Sequence, residues 1–193
     1  MSGRPTGVDR VLRELAARAP TLGAGRLLCV DGPAGSGKTT LATAVAEASP
    51  GATLVHLDDL LQGWDGLAGV GAHLDALLRP LADGRVGHHR RWDWHADAWA
   101  ETVAVPPTPL LVVEGVGSGA PACADLVTLL VWVEAPHDLR RRRGLERDGD
   151  DFAPHWERWA AQEVDVLTRD RTRERAQVRV DGRDGSLLGW PDG

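Results

Sequence analysis

One run of eight residues constrains this chain more than any other. Gly32-Pro33-Ala34-Gly35-Ser36-Gly37-Lys38-Thr39 has the spacing G-x-x-x-x-G-K-[ST]. It follows the apolar run Leu27-Leu28-Cys29-Val30, which closes on Asp31, and it precedes an Ala- and Leu-rich stretch from Thr39 to Ala48. The order is therefore buried strand, glycine-rich turn, helix. Glycines let backbone N–H groups curl round a phosphate without Cβ clashes, and the helix that follows presents its positive end to the same anion. In that geometry Lys38 reaches the β and γ phosphates, and the Thr39 hydroxyl ligates Mg²⁺.

Composition isolates Lys38 further. It is the only lysine among 22 Lys and Arg residues. Where nearly every cation has become arginine, the one ammonium is expected where an ammonium is required. The chain also lacks Asn, Ile and Tyr. Without Asn there is no Asn-Lys-x-Asp guanine-reading motif, no protein-kinase catalytic Asn and no N-glycosylation site. The formal net charge of -6 argues against a nucleic-acid partner. Cys29 and Cys123 have no metal spacing, and Cys29 reads as a buried thiol. No apolar run is long enough to span a membrane, and Met1 to Pro20 does not read as a signal peptide. A soluble, cytoplasmic protein with no membrane partner is expected; its oligomeric state is not legible.

The remaining punctuation gives the fold class. The 193 residues suit one domain, 1–193. Residues 1–20 contain an amphipathic helix over 7–19, ended by Pro20. Strands are expected at 52–57, 110–113, 126–133 and 176–180, and helices at 67–82, 138–147 and 154–170; residues 84–100 read as irregular. Continuous apolar strands alternating with helices imply an α/β fold: a doubly wound, parallel five-stranded sheet with helices on both faces. Residues 136–153 form a short Arg-rich segment.

Three strands end in acid, at Asp31, Asp58-Asp59 and Glu114. Ligands of open parallel sheets bind beyond the carboxyl ends of the strands, so these acids gather near the phosphate loop. Glu114 is placed to hold Mg²⁺ through water or to orient a nucleophile. Alternation along a strand lets only one of Asp58 and Asp59 face a ligand bound there. Arg140, Arg143 and Arg147 share one helical face, where an anion would relieve their repulsion. Two other readings stay open for Trp92 and Trp94: base stacking, or strand residues packed on the core. The histidines and acids between His88 and Asp97 match no zinc-finger spacing.

Asp31-Gly32 through Thr40, Asp58-Asp59 some twenty residues after Lys38, and Val113-Glu114-Gly115 together resemble the uridine kinase and nicotinamide riboside kinase group of P-loop kinases. The resemblance covers roughly residues 26–182. It implies transfer of the γ-phosphate of ATP, with Mg²⁺, to a hydroxyl of a nucleoside-like small molecule. It implies Asp58 as the base, and Arg140, Arg143 and Arg147 as lid residues closing over the triphosphate. Gly32, Ala34, Gly35, Ser36, Gly37, Lys38, Thr39 and Thr40 would hold the nucleotide, Thr39 and Glu114 the metal. Arg91, Trp92 and Asp93 fall where that family contacts its acceptor, and the loop after Val180 where such kinases approach adenine. The chain departs from the uridine kinases in having no tyrosine, in Leu60-Leu61 after the acid pair, and in the acidic Gly149-Asp150-Asp151 of the lid. A cytidylate-type nucleoside monophosphate kinase, with Arg90 and Arg91 on the acceptor phosphate, and a non-catalytic ATP-binding regulatory module are the alternatives.

Overall fold

The computed structural model describes residues 7–189, except for the side chains of 147–153. Five parallel strands form the main sheet: β1 (Arg26–Asp31), β2 (Ala52–His56), β5 (Leu110–Glu114), β6 (Leu129–Glu134) and β7 (Val178–Asp181). Their order across the sheet is β2-β5-β1-β6-β7. The inner strands β1, β5 and β6 are buried almost throughout, as their unbroken apolar runs require.

Alternation along β1 divides the core in two. Leu28 and Val30 pack with Val11 and Leu15 of α1 (Gly7–Ala16) and with Leu41 and Val45 of α2 (Lys38–Glu47). Leu27 and Cys29 face the opposite layer, with Leu74, Leu77, Leu78 and Leu81 of α3 (Val70–Ala82) and Trp159 and Val166 of α5 (Trp156–Asp170). Helices thus cover both faces, and the expected doubly wound sheet is observed. The Arg-rich helix is α4 (His137–Phe152), and a short α6 (Thr172–Arg175) leads into β7.

Three expectations need correction. Residues 84–100 are not irregular: β3 (Gly87–Asp93) and β4 (Ala98–Val105) form an antiparallel hairpin whose register shifts between Arg90 and Trp92. That irregularity breaks the two-residue period, and the largely exposed His and Arg residues supply no apolar alternation, so the strands leave little mark in the sequence. Second, β2 ends at His56, and Leu57–Leu60 is a turn of 3-10 helix. Asp58 and Asp59 therefore do not alternate across a strand; Asp58 is exposed and Asp59 half-buried. Third, β6 and β7 begin at Leu129 and Val178, later than the apolar runs around them.

Candidate active site

Between β1 and α2 the chain turns through Gly32, Gly35 and Gly37, with φ of 143°, 71° and 101°. These are conformations that favour glycine. Gly37 is the N-cap of α2 and supplies no side-chain cap. The first N–H groups of a helix have no intrahelical acceptor, so this end is open to an anion. Lys38 is buried, and its Nζ donates to the Pro33 carbonyl at 3.0 Å, folding the side chain across the loop. The Ser36 hydroxyl is buried and has no hydrogen-bond partner among the described residues.

Asp31 sits beneath this loop. Its carboxylate is wholly buried and accepts the N–H groups of Gly32 at 2.7 Å, Gly117 at 2.9 Å and Gly119 at 2.9 Å. Burial pushes the Asp31 carboxyl up to about 6, against those three hydrogen bonds and the nearby Lys38 charge. Asp31 therefore ties the phosphate loop to the segment after β5; it is not a further acid facing a ligand.

Glu114, at the end of β5, is 6% exposed. Its Oε1 accepts the Thr39 hydroxyl at 3.1 Å and lies 2.7 Å from Nδ1 of His56. Burial alone would raise its pKa, but the His56 contact, the Lys38 and His56 charges and the Thr39 bond together hold it below the usual carboxylate value. The same contact raises His56, helped by the charges of Asp59 and Asp58. Through His56 the structure brings Asp58, Asp59 and Glu114 into one electrostatic neighbourhood. The pairing of a hydroxyl and an ionised carboxylate beside the helix start is a hard-oxygen set that fits Mg²⁺, a cation that keeps several waters and takes phosphate oxygens as further ligands. No cluster of three or more His, Cys, Asp or Glu suited to a metal occurs among the described residues, so phosphates and water would have to complete the set.

Arginines of α4 lie against the loop itself. Arg140 donates to the Ala34 carbonyl at 3.1 Å, and Arg143 to the Gly182 carbonyl at 2.9 Å. The side chain of Arg147 lies outside the described residues. Thr39 and Thr40 are exposed at the start of α2.

The hairpin residues are placed differently from one another. Trp92 is 6% exposed and packs edge-on against Trp99, with ring centres 5.1 Å apart. Asp93 accepts the N–H groups of His95 at 3.1 Å and Ala96 at 3.0 Å, closing the hairpin turn. Arg91 pairs with Glu101 at 2.8 Å. Trp94 is the residue that meets the acid pair, donating its Nε1–H to the Asp58 carbonyl at 3.3 Å. It packs on Trp64, which stacks on His155 and meets Trp159 edge-on.

Spacing along the sequence does not reveal Glu163, His56 or the closeness of Gly182 to Ser36 of the loop. Glu163 carried a signal: it interrupts the buried stripe of Trp156, Trp159 and Val166 on α5, a place where a charge needs a reason. His56 reaches the site only through strand pairing and carries none; the loop after Val180 is expected near the nucleotide, but its contact with Ser36 is not legible in spacing.

Known proteins share this architecture. A possible uridine kinase from Bacillus stearothermophilus matches 90% of this chain and 96% of its own, with a TM-score of 0.62 and 19% identity. A candidate fructose transport system kinase from Silicibacter sp. TM1040 matches 98% of this chain and 100% of its own, with a TM-score of 0.56 and 23% identity. The fold is that of the P-loop kinases. No family model matches the sequence, and no curated protein does. No helix among the described residues of this P-loop kinase fold is long and apolar enough to cross a membrane.

Proposed function

We propose that the chain is an ATP-dependent small-molecule kinase that transfers the γ-phosphate to a hydroxyl of a nucleoside-like acceptor. The observation that carries this reading is the 3.1 Å bond between Thr39 and Glu114, at the mouth of a loop whose helix start lacks a cap. Thr39 and Glu114 would hold Mg²⁺, which would supply positive charge to neutralise the transferring group. Lys38, the N–H groups of residues 35–40, Arg140 and Arg143 hold the triphosphate, with Arg147 continuing the lid. Asp58 orients the acceptor hydroxyl and takes its proton. Catalysis is positioning and electrostatics, with no covalent enzyme intermediate.

The acceptor lies on the Trp94 side of Asp58. Arg91 is held by Glu101, and Arg90 lies over the Trp99 ring at 5.4 Å. Both arginines expected to bind an acceptor phosphate are thus engaged within the hairpin, which favours an uncharged alcohol over a nucleoside monophosphate. The names of the structural neighbours, a possible uridine kinase and a candidate fructose transport system kinase, support a hydroxyl acceptor of nucleoside or sugar type.

The test is a screen of nucleosides, sugars, nucleotides and vitamin-like alcohols with γ-labelled ATP, repeated with Asp58→Asn. Labelled product should form with the natural chain and fall by about 100-fold or more in the variant, with ATP affinity kept. Nucleotide binding with slow hydrolysis and no phosphorylated product from any pool would favour the regulatory module. Turnover by Asp58→Asn within a few-fold would refute Asp58 as the base.

A further inference from the structure

Glu163 is a carboxylate only 2% exposed, on the face of α5 that packs against the core. Its Oε1 accepts the Ala34 N–H at 2.6 Å and the Trp159 Nε1–H at 2.8 Å. Its Oε2 lies 3.6 Å from the Arg140 guanidinium, which donates to the Ala34 carbonyl. The two charged side chains thus hold the backbone on both sides of the Ala34 α-carbon. One comes from the lid helix and the other from the helix that follows it. Ala34 leads directly into Gly35-Ser36-Gly37-Lys38, where the loop must keep its N–H groups turned inward.

The arrangement is costly in the absence of a ligand. A buried ion pair rarely outperforms apolar packing of the same volume, and three apolar neighbours already line this stripe. A tighter core would be available with leucine at the position. What leucine cannot do is accept the Ala34 N–H or aim Arg140. Gly35 adds a second constraint, since a Cβ there would meet the Arg140 carbonyl oxygen at 2.3 Å. The first turn of the lid helix therefore lies directly on the loop, and its placement and the loop's shape are coupled.

We propose that Glu163 is a positioning residue for nucleotide binding: with Arg140 it clamps the backbone at Ala34, fixing the first half of the phosphate loop and aiming the Arg140 guanidinium at the bound triphosphate. This rests on the ATP-binding reading above. The clamp acts before nucleotide arrives, so it has a signature in the nucleotide-free protein. Ala34 is held by a charged acceptor, and its amide should exchange slowly with solvent.

The experiment compares natural protein, Glu163→Gln and Glu163→Ala by amide hydrogen exchange without nucleotide and by calorimetric titration with Mg·ATP. Glutamine keeps an oxygen for Ala34 and Trp159 but loses the charge that aims Arg140; alanine loses both. Ala34 exchange should rise about tenfold or more in Glu163→Ala and stay near the natural rate in Glu163→Gln, with Leu28 and Val30 of β1 unchanged in both. The Kd for Mg·ATP should rise about three- to tenfold in Glu163→Gln and more than about tenfold in Glu163→Ala. In kinetic assays the rise should fall on the KM for ATP and leave that for the acceptor unchanged. Should Glu163→Ala not fold, the expected loss in Glu163→Gln still decides. A folded variant with lowered Tm but ATP affinity within about twofold of the natural chain would overturn the clamp and leave the kinase reading standing. A natural chain that ignores Mg·ATP would overturn both.

Discussion

A side-chain carbon placed on Gly182 would lie 1.7 Å from the carbonyl oxygen of Ser36. The loop after β7 therefore touches the phosphate loop backbone to backbone, and Gly182 further accepts Arg143 on its own carbonyl. Gly182→Ala must displace one of the two loops, at a cost of about 1–3 kcal/mol in stability. One of the two is the proposed nucleotide cradle and they touch directly, so ATP affinity should fall along with Tm. Thermal melts and Mg·ATP titrations on one preparation check this; a variant with unchanged Tm would show that the contact yields freely.

The hairpin tryptophans should separate by role. Trp92 is buried against Trp99, and Trp92→Ala should cost about 3–5 kcal/mol of stability. Trp94 joins Trp64 beside Asp58, and Trp94→Ala should raise the acceptor KM about fivefold or more while sparing the KM for ATP. Steady-state kinetics with each substrate varied reads both. A larger acceptor effect from the milder change Trp92→Phe would instead place the acceptor against the hairpin's packed face, as the family resemblance implies.

Asp31 should make stability depend on pH. Its ionised form is disfavoured in the folded chain, so its contribution is fully present below the ordinary aspartate value of 3.8 and is lost as pH rises through about 6. Asn at 31 removes that titration along with one acceptor oxygen. The natural chain should gain about 1 kcal/mol relative to Asp31→Asn between about pH 7 and pH 5, measured by urea unfolding at each pH. Parallel profiles for the two proteins would contradict the raised carboxyl.

Much of this was legible because the chain's strongest signals are local. The strand, glycine turn and helix around Lys38 lie within some twenty consecutive residues, and the apolar runs of β1, β5 and β6 are unbroken. Glu114 could be placed because it ends such a run. The hairpin was not legible: its partners face solvent on one side, and its register shifts midway. The sequence puts Asp58 and Asp59 just past a strand, but one 3-10 turn leaves no periodicity from which to read their backbone. Glu163, His56 and the contact of Gly182 with Ser36 escape the sequence for another reason. Each meets its partner across the fold, from Glu163 to Ala34, His56 to Glu114 and Gly182 to Ser36, and spacing along a sequence does not report such pairs.

The proposed triphosphate cradle is built around Lys38, and calorimetric titration of Mg·ATP into the natural chain and into Lys38→Ala tests it directly. The natural chain should bind about one nucleotide per chain, and the variant should bind about tenfold more weakly or worse, having lost the charge that faces the β and γ phosphates. No binding heat from the natural chain at any accessible concentration, or equal affinity in the two proteins, would contradict it.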